Sequence, residues 1–246
     1  MRIPSWFALF VLLVTACPAT DGSLGHARRA QALLGPEVWS QIIRVENSAP
    51  TRKYPRTLHA LVFELAGVLW FYTDADGTQS FSLHRNRLAQ EKADFAPLLR
   101  DLDRGFERWV TVGPGGEESD ATAAAAELPN GCFIESYAAL RRLVARGVPV
   151  SEPRLLSYYA RTPRRQTGHT VLVYSVNGRL AVVDPLRPET ELRFPASFSA
   201  EPMELARAIQ GPEVGHAILL PLPLPAGRAP GEVFAANGPR AGSLPL

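Results

Sequence analysis

Cysteine is scarce in this chain: Cys17 and Cys132 are the only two among 246 residues. Processing or lipidation at the first leaves one thiol, which excludes a disulfide framework within the folded part. Long apolar runs are also missing. The run at residues 6–14 falls far short of the roughly 18 residues a spanning helix needs, so no permanent transmembrane segment is expected. Charge of one sign is not concentrated. With a net charge of +2, 20% charged residues and no basic stripe interleaved with aromatics, nucleic acid is not suggested as a partner. Gly113-Pro114-Gly115-Gly116 lacks the Gly-Lys-Ser/Thr ending of a phosphate loop, so nucleotide binding gains no support. No two Cys or His residues have zinc-site spacing; a metal is not expected, and no cofactor is implied.

What the chain does have begins at its N-terminus. Met1-Arg2 precedes the apolar run from Trp6 to Val14, and Thr15-Ala16-Cys17 follows, which is the order of a secretory signal. Val14-Thr15-Ala16-Cys17 resembles the lipobox of bacterial lipoproteins, which implies Cys17 as the acylated N-terminus. Ordinary cleavage after Ala16 fits the same residues. Either way the mature chain is expected outside the cytoplasm, in the cell envelope, and with lipidation it is held to the membrane by that anchor.

Residues 1–17 are thus read as signal, 18–35 as a small, polar, basic tether, 36–221 as one domain, and 222–246 as a disordered Pro/Gly/Ala-rich tail. Pro36-Glu37 opens a helix with Val38, Trp39, Ile42 and Ile43 on one face. Residues 58–65 and 68–73 form a strand pair about Ala66-Gly67, Asp74-Ala75-Asp76-Gly77 a turn, and 78–83 a third strand. Helical spacing runs from Asn86 to Trp109, broken by Pro97. A loop from Gly113 to Pro129 leads to a helix over 132–146; a strand at 155–160, a hairpin at 169–184, a helix at 203–209 and a strand at 214–220 complete the pattern. Strands and helices do not alternate regularly, which predicts an α+β fold.

One constellation carries chemistry. Asn130 reads as the N-cap of the 132–146 helix, placing Cys132 in its first turn, where unpaired amides and the helix dipole favour a thiolate. The plain alternative is a core cysteine packed beside Phe133. Downstream, Asn177-Gly178 between β-branched runs is a strong two-residue hairpin signal. Counting outward from it, Val176 pairs with Arg179 and Val171 comes opposite Asp184, so His169 shares a face with Asp184 and lies diagonal to it. Diagonal neighbours are roughly 7–8 Å apart at Cα, within reach of an imidazole and a carboxylate. Such a carboxylate fixes the tautomer that leaves the other ring nitrogen free as a base. A three-residue loop would put the two on opposite faces. Singly, His169 reads as a strand-end histidine and Asp184 as a turn residue; His216 is the best substitute base.

The order of Cys132 at a helix start, Gly168-His169 opening a strand and Asp184-Pro185 closing the next resembles the transglutaminase-like branch of the papain-like cysteine enzymes, over roughly residues 128–186. The resemblance implies an α+β core in which the cysteine-bearing helix packs on an antiparallel sheet. It implies Cys132 as nucleophile, His169 as base and Asp184 as its orienting partner. It also implies a peptide or protein amide as substrate, handled through a thioester by a peptidase, amidase or transamidase. The glutamine that often supplies the oxyanion hole before the cysteine is absent from Glu127 to Gly131. Asn130 and Trp109 are then the candidate donors beside the Cys132 amide. Loss of that donor is compatible with a catalytically inactive binding module, and a structural lipoprotein with Cys132 in its core is the further alternative.

Overall fold

Buried side chains in the computed structural model, which describes residues 22–82, 87–113, 128–162, 165–195 and 201–225, alternate between two faces along most strands. Two five-stranded antiparallel sheets result. The first is built from β1 (Ser40–Asn47), β2 (Thr57–Leu65), β3 (Val68–Thr73), β4 (Gly77–Ser82) and β5 (Phe106–Thr111), in the order β4-β3-β2-β1-β5. The second holds β6 (Ser151–Thr162), β7 (Arg165–Val176), β8 (Arg179–Asp184), β9 (Arg187–Phe194) and β10 (Val214–Pro221), in the order β10-β6-β7-β8-β9. The α+β expectation holds.

Between the sheets lie α1 (Gly22–Leu34) and α4 (Cys132–Ala145). Leu61, Phe63 and Tyr72 of the first sheet and Leu155, Leu172 and Tyr174 of the second share one core with Phe133, Ile134, Tyr137 and Leu140 of α4. Outside the first sheet, Val62, Leu69 and Phe71 bury Phe95 and Leu99 at α2 (Leu88–Ala93) and α3 (Ala96–Leu102). Outside the second, Leu156, Val171, Val173 and Val182 bury Leu205 and Ala206 of α5 (Pro202–Gln210). Each sheet is therefore covered on both faces, the surroundings in which strands become long apolar runs.

Several expectations fail for this reason. Residues 38–43 do not form a helix. Ile42 faces the central core and Ile43 the outer one, in a strand whose Ile42 pairs with Leu61. The helical reading of 86–109 likewise stops at Leu102, because 106–111 forms β5 and pairs Trp109 with Val45. The break before α3 comes at Asp94-Phe95, with Pro97 inside the first turn of α3, where its missing N–H costs nothing. The tether at 18–35 is overturned as far as it is described: residues 22–34 are α1, and Ala27, Ala30 and Leu34 are each at most 1% exposed. Small alanines let the helix sit close to β2 while Arg28 and Arg29 stay half-buried at its flanks. The tail also begins later than residue 222, since Leu222 is buried and its N–H donates to the Pro153 carbonyl at 2.9 Å. Strand β9 was not foreseen. The signal at 1–17, most of the 113–129 loop and residues 226–246 lie outside the described residues.

Candidate active site

The base comes from the hairpin. Asn177 and Gly178 both take left-handed φ, 51° and 72°, as a two-residue turn of this kind requires. Val176 pairs with Arg179 and Leu172 with Val183, the register expected from the sequence. It brings His169 Nε2 to 2.9 Å from Asp184 Oδ1. The same carboxylate oxygen accepts the Leu186 N–H at 2.9 Å, so the corner after β8 holds the aspartate in place.

Cys132 is the first residue of α4 and is partly exposed. It stands near enough to His169 for the thiol to raise the proton affinity of the imidazole. Burial pushes the His169 proton affinity down, but Cys132 and the charge of Asp184 outweigh it. The imidazole pKa is raised above its ordinary 6.5.

Cys132 reaches His169 although the body of α4 packs on the opposite face of the sheet. By alternation His169 belongs with Val171 and Val173 under α5, whereas α4 covers Leu155, Leu172 and Tyr174. The contact forms at the tip of α4, beside the stretch of β7 that β8, ending at Asp184, no longer accompanies. Ser136, one turn into the helix and fully buried, donates to the Thr170 carbonyl at 3.0 Å and pins the tip there.

The backbone ahead of the cysteine hangs on the other sheet. Tyr72 Oη donates to the Pro129 carbonyl at 2.9 Å, and the Asn130 side-chain amide donates to the Asp74 carbonyl at 2.7 Å. Gly77 (φ 70°) has no room for a side chain, since a Cβ there would lie 2.5 Å from the Asn130 carbonyl oxygen. Asn130, itself left-handed at φ 52°, is therefore not the N-cap. That position is Gly131, with no side-chain cap. Neither oxyanion candidate is placed as expected. The Asn130 amide is engaged by the β3–β4 turn. Trp109 sits on β5, its indole N–H donating to Asp94 Oδ1 at 3.4 Å, and lines a cavity of about 370 Å³ with Arg44, Glu46 and Arg108 of the β1–β5 edge of the first sheet. His216 on β10 faces Tyr159 of β6, which separates it from β7. Cys17 lies outside the described residues.

Two contributors were invisible in the sequence. Ser136 is one. The other is Tyr158, the cross-strand partner of His169, whose ring meets the imidazole edge-on at 5.7 Å and 83°. Its hydroxyl donates to Gln210 Oε1 at 3.4 Å. Burial, then the charges of Asp184 and Cys132, raise its pKa, so it stays a neutral wall. Only the β6–β7 register reveals it, and Pro163-Arg164 is a turn signal without the Asn-Gly character that fixes a two-residue register in advance. Among the described residues no cluster of three or more His, Cys, Asp or Glu could hold a metal, and no helix is long and apolar enough to cross a membrane.

Comparison of the chain with protein-family models, with curated proteins and with solved structures found no match.

Proposed function

We propose that this protein is an exported cysteine-dependent amide hydrolase or acyl transferase, of the papain-like and transglutaminase-like kind, held to the cell envelope through a lipidated Cys17. The observation that carries the reading is the His169 ring, bonded to Asp184 at 2.9 Å and close enough to Cys132 for the thiol to raise its proton affinity. Three residues distant in sequence supply nucleophile, base and orienting carboxylate in contact.

The chemistry follows from the roles. His169 Nδ1 takes the thiol proton as Sγ adds to the amide carbonyl carbon. The tetrahedral oxyanion then collapses, the C–N bond breaks, and His169 returns the proton to the leaving nitrogen. A Cys132 thioester remains. Water attacking it yields an acid, and an amine yields a new amide; in both cases the thiol is regenerated. The Cys132 amide, in the uncapped first turn of α4, is the oxyanion donor at hand.

Iodoacetamide labelling tests the reading. Wild-type Cys132 should react faster near neutral pH than Cys132 in His169→Ala, and an activated ester should give a burst of one acyl group per chain. Equal labelling rates and no burst would end it. A binding module without turnover is the second reading, favoured by the engagement of Asn130 and Trp109 away from the sulfur.

A further inference from the structure

We infer that Tyr159, seated across Gly168, is the surface against which the acyl side chain of the substrate packs, giving the site a preference for aromatic over small residues; the inference rests on the catalytic reading above. Tyr159 stands opposite Gly168, two residues along β6 from the Ser157 and Thr170 pair. Alternation therefore puts Tyr159 on the same face as Thr170, the face that α4 covers. From Cys132 at His169, α4 passes Ser136 at Thr170 and goes on to the core around Leu172 and Tyr174. Tyr159, packed over Gly168, thus flanks the stretch of β7 that carries His169, on the face along which α4 begins.

Tyr159 is unlike the tyrosines of the core. It is 50% exposed, whereas Tyr72, Tyr137, Tyr158 and Tyr174 are each at most 2% exposed. Its ring is nevertheless seated, because a Cβ on Gly168 would come within 2.9 Å of Tyr159 Cε1. Gly168 has no left-handed φ, so glycine is not required there by the backbone. What its missing side chain provides is the seat for the ring. A seated, half-exposed aromatic face beside a nucleophile loses water most favourably against another ring or a large aliphatic group, and a methyl leaves much of it uncovered.

The test separates this inference from turnover by using Cys132→Ala protein with labelled tyrosine. In an NMR titration, N-acetyl-phenylalanine amide should shift the Tyr159 ring signals and bind about tenfold more tightly than N-acetyl-alanine amide. Tyr159→Ala should erase that difference and Tyr159→Phe should keep it. Gly168→Ala, which displaces the ring without touching the triad, should reduce it. In wild type, the same preference should appear in kcat/KM for the matching activated esters and vanish in Tyr159→Ala. Equal affinity for the two amides, or a preference that survives Tyr159→Ala, would overturn the inference whatever the labelling of Cys132 shows.

Discussion

His169 Nε2 and Asp184 Oδ1 meet at 2.9 Å across the β7–β8 hairpin, which leaves Nδ1 as the ring nitrogen without a carboxylate. The carboxylate is anchored by the Leu186 N–H, so the ring takes its orientation from a fixed point.

Asp184→Asn keeps the shape and removes the charge. Circular dichroism should show an unchanged fold, while the rate of acyl transfer to water falls roughly 10²–10⁴-fold through loss of tautomer control and imidazolium stabilisation. A rate within a factor of about two of wild type would show that Asp184 does not orient the base.

The raised pKa of His169 sets a pH dependence. A proton held more tightly in the fold leaves the neutral, accepting imidazole dominant only at higher pH, so the acid limb of kcat/KM should lie above the ordinary histidine value of 6.5. Asp184→Asn removes one of the raising charges and should move that limb to lower pH. In stability the sign is the reverse: the protonated ring favours the fold fully below about 6.5, and that contribution is lost as pH rises through the folded value. The stability gap between wild type and His169→Gln should accordingly narrow from acid to alkaline pH in urea titrations.

On the proposed function, Cys132 and His169 act as one unit. The Cys132→Ala, His169→Ala double variant should be no slower than either single variant in a burst assay, and additive losses would argue for separate roles.

Leu34 closes α1 and is fully buried, although it falls within the stretch read from sequence as a tether. Leu34→Ala should cost about 2–5 kcal/mol in chemical denaturation; a change near zero would mean that α1 does not belong to the cooperative core.

For the N-terminus, labelled fatty acid should enter the wild type and not Cys17→Ala. Equal labelling of both, or of neither, would leave ordinary cleavage after Ala16 as the better account.

The hairpin and the helix start were legible because their signals are local. Asn177-Gly178 prescribes left-handed backbone at two successive residues, and that alone sets which residues face Asp184. The face on which α4 packs was not legible, nor was the way its tip reaches His169, since both depend on where β8 stops. Val38, Trp39, Ile42 and Ile43 match a helix face as well as they match a strand buried on both sides, and only pairing with β2 decides. In α1, small and polar residues look like linker until a groove between two sheets accepts them. The oxyanion candidates failed because Asn130 spends its side chain on the β3–β4 turn, a contact between segments some fifty residues apart.

The attachments of Cys132 are divided between the sheets. Pro129 and Asn130, ahead of the nucleophile, hang from Tyr72 and Asp74, whereas the base and its carboxylate belong to β7 and β8. The loop that leads into Cys132 is therefore held by the first sheet, while the helix it opens is pinned by Ser136 to the second.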